Sequence, residues 1–213
     1  MIYPVLAIIV SSSIAFGAFG QTSGIFTDMR DTTDYKWIII GSQTWMAENL
    51  NFTTAESSWC YDDNESNCII YGRLYDWETA KEVCPYGWHL PSDEDWKEME
   101  RQLGIKKRHV ELMGYRGHKK AGELKEAGLE HWGYPNSGAT NETGFSALPA
   151  GYRFGNSYYY QMDYQAYFWT STEWIVDDVG LGGFSRTLSF NLSGIKRFAN
   201  NISFGLSVRC TKD

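Results

Sequence analysis

The chain has 213 residues and a formal net charge of −7, and 16 % of its residues are aromatic, among them Trp 9, Tyr 14 and Phe 11. An acidic balance argues against nucleic acid or an anionic membrane surface as partner, because both need a basic face. The length suits one domain with extensions, and the rings supply a sizeable core with some left over for a binding surface.

Residues 1–20 carry no charged side chain and end in Ala18 and Gly20, small residues at −3 and −1 of a cut before Gln21. The apolar run is short for a membrane span, so it reads as a secretory signal peptide. The mature chain is then extracytoplasmic (secreted, on the cell surface or in the periplasm) and has no membrane span. No Cys follows the cut, so a lipid anchor is not supported. Residues 21–34, rich in Thr, Ser, Gly and Asp, read as a linker, and 35–213 as the domain.

Tyr35 to Trp45 reads as two short strands around a Gly41-Ser42 turn. Glu48 and Asn49 follow among apolar neighbours and are expected to bond to backbone. Asp62, Asp63, Asn64 and Glu65 match a calcium site in composition but lack the D-x-[DN]-x-[DN]-G spacing, so they read as a solvated loop. Tyr75, Trp77, Ala80, Val83 and Cys84 keep a helical spacing, and Pro85 and Gly87 end that helix. Ser92 opens a second helix as N-cap with Asp95 in the capping-box position, and the first-turn acids suit the helix dipole. Trp96, Met99 and Leu103 form its buried stripe, and Gly104 closes it.

Residues 105–144 show little periodicity, with one helical turn expected within Ala121–Ala127. Gly144 to Arg153 reads as strand, turn, strand, and Ser157 to Tyr160 as loop or strand edge. Ala166–Glu173, Ser185–Leu192 and Ser203–Cys210 read as strands, with Asn191–Asn201 as a hairpin turn between the last two. Helices early and antiparallel strands late make the class α+β.

Four cysteines in an exported chain suggest two disulfides, and three pairings are possible. Cys60 with Cys68 is favoured, because the intervening residues are polar and turn-rich. Cys84 with Cys210 then ties the first helix to the last strand. A zinc site is not read: there is no CxxC, and His89, His109, His118 and His131 show no paired-ligand spacing. No catalytic residue, metal or cofactor is assigned. Trp169, Trp174, Tyr158 and Tyr160 are the ligand-binding candidates, since sugar faces stack on aromatic rings, although its strand neighbours favour a core role for Trp169. The partner is a protein or a surface glycan. Glu48 and Glu173 are the carboxylates that an acid–base enzyme would use. Five N-x-[ST] sites, Asn51 and Asn191 among them, are expected to stay unmodified in a bacterium.

The run from Cys84 through Leu90-Pro91-Ser92 into a helix, with a closing strand ending in Cys210, resembles the C-type lectin-like fold. In that fold the helix cysteine bonds the cysteine of the last strand. His89 to Trp96 is similar to the R-L-P-T-E-A-E-W segment of formylglycine-generating (sulfatase-modifying) proteins. Trp45-Met46-Ala47-Glu48-Asn49-Leu50, Gly72 to Trp77, Ala139 to Phe145, Leu148 to Arg153, Phe168 to Glu173 and Ser207-Val208-Arg209-Cys210 resemble motifs of the Fibrobacter succinogenes major paralogous domain. That resemblance covers about Tyr35 to Asp213 and points to exported proteins of Fibrobacter and Bacteroidetes-type bacteria. The formylglycine enzyme's copper-holding cysteine pair is missing, and so are the calcium tripeptides Glu-Pro-Asn and Trp-Asn-Asp of sugar-binding lectins. The resemblance therefore implies a non-catalytic surface or periplasmic module for binding or assembly. The alternative is an enzyme of the sulfatase-modifying superfamily with an altered active site.

Overall fold

The computed structural model describes residues 22–155, 157–176 and 180–213. The signal-peptide reading of residues 1–20 lies outside them. In chain order the elements are β1 (Ser23–Asp28), β2 (Thr33–Ile40), β3 (Gln43–Met46), β4 (Ser58–Trp59), α1 (Glu65–Tyr71), β5 (Leu74–Tyr75), α2 (Trp77–Glu82), β6 (Trp88–His89), α3 (Asp93–Gln102), α4 (Lys107–Val110) and β7 (Gly114–Arg116). Then follow β8 (Ala150–Phe154), β9 (Tyr158–Met162), β10 (Gln165–Val176), β11 (Gly180–Ser189), β12 (Ile195–Asn201), β13 (Leu206–Ser207) and β14 (Thr211–Lys212). The class is α+β, rich in sheet, with few helices and two disulfides.

One sheet runs β1-β2-β3-β14-β6, and the larger runs β4-β5-β13-β10-β11-β12-β7, with β8 pairing to β10 and β9. The end of the chain joins them, because β13 lies in the large sheet and β14 in the small one. Between them Cys210 bonds Cys84, and Cys60 bonds Cys68, so both expected disulfides form. The segment read as one last strand, Ser203–Cys210, is accordingly broken. It leaves one sheet for the other, and the Cys210 carbonyl accepts from Met46 N at 3.0 Å.

The 21–34 linker reading needs correction. Ser23–Asp28 is a strand that pairs antiparallel with β2 over its whole length. Phe26 stacks on Trp88 at 4.4 Å, and the buried Asp28 takes a bidentate ion pair from Arg30. Burial pushes the Asp28 carboxyl up, but the Arg30 bonds outweigh this and hold it below its usual value. Arg30 also donates to Val83 O at 2.8 Å, which fastens the strand to the end of α2. Turn-like composition hid one half-buried aromatic and one half-buried ion pair.

α1 is a further difference. It begins inside the Cys60–Cys68 stretch read as loop and runs on to Tyr71, started by Asn64, whose side chain accepts from Ser66 N. The hairpin turn read over Asn191–Asn201 shrinks to a few residues, because Ile195 onward pairs with β11. Residues 105–144 hold only α4, β7 and one 3-10 turn at Ala121–Leu124. Lys125 organises that region: its ammonium donates to Ser137 O, Ser189 O and Leu192 O at 2.9–3.2 Å, and burial pushes its pKa down to about 8.

α3 carries both ends of the expected pattern. Ser92 Oγ accepts from Asp95 N at 3.1 Å, and Asp95 Oδ2 accepts from Ser92 N at 2.7 Å, which closes the capping box. At the other end Ile105 N reaches Glu100 O and Gly104 N reaches Arg101 O, the paired bonds of a Schellman motif, with Gly104 at φ +86. Trp96, Met99 and Leu103 are buried, and Trp96 meets Trp45 and Phe145 edge-on. Two of the helix acids are buried beside them. Glu100 accepts from Arg116 and Arg186, each at 2.7 Å, and Asp93 accepts from Arg186 and Arg197 at 2.7–2.8 Å. Burial pushes the Asp93 carboxyl up, yet the two guanidiniums prevail and hold it well below the carboxylate range.

Two predictions follow from this architecture. In the chain-entropy model the Cys84–Cys210 closure is worth about 5 kcal/mol and Cys60–Cys68 about 2.5 kcal/mol. Replacing the first pair by Ser therefore lowers the denaturant midpoint about twice as far as replacing the second, measured by urea unfolding. Asp93→Asn leaves buried guanidiniums unpaired and costs about 3–5 kcal/mol at neutral pH. Because folding lowers the Asp93 pKa, its contribution is complete above the unfolded value of about 3.9 and is lost as pH falls below it. Unfolding curves at successive pH values then show an acid-side loss that is smaller in the variant.

Candidate binding surface

The β8–β9 hairpin sets Tyr152 opposite Tyr160 and Phe154 opposite Tyr158, so all four rings project from one face. Close approach of the two strands depends on Gly151: its φ is +64, and a Cβ there would come within 2.3 Å of Tyr160 O. Phe204 stacks on Tyr152 at 5.8 Å and leans on Phe154 at 4.8 Å, and Tyr167 of β10 meets Tyr152 edge-on at 5.0 Å. This face continues across the sheet, where Tyr167 pairs with Thr187 and Thr187 with Lys196. Between the rings and these strands lies a cleft of about 100 Å³, whose lining includes Tyr152, Tyr167, Lys196, Phe198, Asn200 and Phe204. Burial raises the Tyr152 and Tyr167 phenols, so both stay protonated at neutral pH.

The four sequence candidates separate. Tyr158 and Tyr160, 62 % and 44 % exposed, stand together on this face. Trp174, 37 % exposed, lies instead in a neighbouring hollow of about 340 Å³ with Met113 and Leu181, against the Phe184 ring. The two hollows share Phe198 and Asn200. Trp169 is a correction: it is wholly buried, and its indole N–H donates to Tyr75 O at 2.8 Å, so no ligand can stack on it. Its strand neighbours Phe168 and Thr170 are buried as well, so β10 is covered on both faces there. Tyr152, Phe198, Phe204 and Lys196 were missed. They come from β8, from β12 and from the turn at Phe204, and only β pairing brings them together.

A larger cleft, about 810 Å³, lies between the β1–β2 hairpin and α1, with Ile25, Ile69 and Ile70 on its rim. Its floor is structural. Buried Arg209 donates to Asn49 Oδ1 at 2.7 Å, to Ser146 O at 2.9 Å and to Phe145 O, and Asn49 donates to Tyr71 O at 2.7 Å. Burial pushes the Arg209 pKa down to about 9. Glu48, on the same cleft, accepts from Lys36 N at 2.9 Å and pairs with the Lys36 ammonium at 3.0 Å. Glu173 lies on β10 in the other sheet, opposite Gly183, so the two carboxylates do not share a cleft.

His131 Nδ1 lies 2.9 Å from Glu126 Oε1, and Glu130 brings a third ligand-type atom within 4.8 Å of both. The sequence reading found no such grouping, because it weighed His and Cys spacings and not carboxylates beside a lone His. Cys60 and Cys68 near Glu65 are spent in a disulfide and offer no thiolate.

Disulfides, a split pair of sheets and an open aromatic face on the β8–β9 hairpin define a stapled α+β module. Residues 38–212 match the family model described as the Fibrobacter succinogenes major domain, and the chain belongs to that family. No curated protein and no solved structure matches it. Arg209, Asn49, Gly72 and Phe145 all fall in the motif runs that carried the resemblance, and the Arg209 hydrogen bonds tie three of those runs together.

Burial separates structural from surface aromatics in a measurable way. Trp169→Ala costs about 3–5 kcal/mol through the cavity and the lost hydrogen bond. Tyr158→Ala stays within about 0.5 kcal/mol of the parent. Thermal or urea unfolding of the two variants checks both.

Proposed function

We propose that this chain is an exported, non-catalytic cell-surface or periplasmic module on a C-type lectin-like scaffold. It binds a surface glycan through the Tyr152–Tyr158–Tyr160–Phe204 face. The observation that carries this reading is the contiguous group of Tyr152, Phe154, Tyr158, Tyr160 and Phe204 rings on one open face, whereas Tyr86, Tyr134 and Trp174 are exposed outside this group. Protonated phenols beside the rings supply the hydrogen bonds that orient a sugar stacked on them. The Cys84–Cys210 bond, helix to chain end, supports the C-type lectin-like scaffold, and two disulfides favour an oxidising compartment. An enzyme of the sulfatase-modifying superfamily draws less support, since Cys210 has no thiol to offer copper and Glu48 is committed to Lys36.

A glycan array of bacterial surface polysaccharides, followed by calorimetric titration of the best ligand, tests the reading. Tyr160→Ala with Phe204→Ala is expected to weaken binding roughly tenfold or more, about 1.4 kcal/mol. Trp174→Ala leaves it unchanged. Silence on every glycan, together with a stable complex with a protein from the same cell surface, would reassign the face to a protein partner.

A further inference from the structure

We infer that the aromatic cleft selects an anionic sugar, one that carries a uronate-type carboxylate; this rests on the glycan reading above. The cleft's lining holds one charged residue, Lys196, and no carboxylate. That is unusual in a chain of net charge −7. Lys196 sits with its ammonium 4.3 Å from the Phe198 ring centroid and 6.0 Å from that of Tyr115. It joins no ion pair among the described residues.

The next residue on the same strand makes the contrast. Arg197 faces the opposite side of β12 and is bidentate to Asp93. Arg116 and Arg186, on the strands to either side of β12, are likewise matched by Glu100 and Asp93. Cations on the α3 side of the sheet thus have their acids built in. On the cleft side the one cation has only rings and hydroxyls around it, and its counter-charge must come from outside.

The neighbours fit the rest of such a ligand. The register Tyr167–Thr187–Lys196 sets phenol, hydroxyl and ammonium in one row across three strands. Asn200 donates its amide to Ser185 Oγ at 2.7 Å, which leaves its carbonyl oxygen to accept from a sugar hydroxyl. The Tyr152 and Phe204 rings, stacked side by side, offer an apolar wall for a pyranose face. A carboxylate on that pyranose would meet Lys196 at the edge of an apolar wall, where a charge pair is screened less than in open water.

The test uses the mature protein and hexamers of galacturonate, mannuronate and guluronate, each beside its methyl-esterified form. The two forms share their rings and differ in charge. Calorimetric titration at low salt is expected to give roughly tenfold tighter binding of at least one acid form than of its ester, and a preference that fades as salt rises. Lys196→Met is expected to remove the preference, so that acid and ester bind alike. Lys196→Gln serves in its place if the first variant loses its near-UV circular dichroism. Acid and ester binding alike, or a preference that survives both variants, overturns the inference. If only neutral array glycans bind, and Tyr160→Ala with Phe204→Ala abolishes that binding, the anionic class falls and the glycan reading stands. If no saccharide binds, both fall.

Discussion

Everything in this fold is arranged around two buried carboxylates on one helix. Asp93 and Glu100 lie a little under two turns apart on α3, and between them they hold Arg186, Arg116 and Arg197 from three adjacent strands. Glu100 and the Arg186 side chain have no solvent exposure. Removing such charges from water costs nearly as much as their attraction returns, so the network adds little net stability. What it does is single out one seating of α3 on the sheet. The apolar stripe of Trp96, Met99 and Leu103 supplies the burial, and the guanidiniums decide its register.

The same network explains why the opposite face of the sheet is open. Side chains alternate along a strand, so when Arg186 and Arg197 turn in toward α3, Thr187 and Lys196 must turn out. α2 covers that side at Gly183, where Trp77 packs, but no helix residue lines the cleft. The β8–β9 hairpin folds along its margin and contributes a row of rings. The aromatic cleft is thus the outward consequence of an inward ion network, and both belong to one period-two pattern.

A second constraint is the path of the last few residues. Leu206–Ser207 pairs in one sheet and Thr211–Lys212 in the other, with Arg209 and Cys210 between them. Arg209 reaches backbone carbonyls near Phe145 and the side chain of Asn49, and Cys210 is bonded to the end of α2. A short segment therefore ties together parts of the chain that are far apart in sequence. Family membership is explained at this level: several of the motif runs that define it meet around Arg209, where they hold the scaffold. Of the proposed ligand face only Tyr152 falls in those runs, so the runs say more about fold than about ligand.

Much of the local structure was legible. The α3 cap, its stripe and its closing glycine are set by neighbours within one or two turns, and the sequence displays them directly. The two disulfides followed from cysteine count and loop character, and the α+β class from the order of patterns. The linker reading of 21–34 failed because β1 owes its existence to Phe26 packing on Trp88 and Arg30 reaching Val83, contacts made far along the chain. Trp169 was a ligand candidate beside Trp174, although its strand neighbours favoured the core; it fills the core, and Trp174, on the other face of β10, lies at a surface hollow.

By itself, then, the sequence determined the ends of α3, the favoured disulfide pairing, the family and the surplus of aromatic rings, all of which depend on short-range chemistry or on composition. Only the tertiary structure decided which rings meet, which acids of α3 are buried, and that Lys196 stands without a counter-charge. Those are matters of strand pairing and of which face a residue takes. A one-residue change of register would reverse every one of them without altering the composition at all.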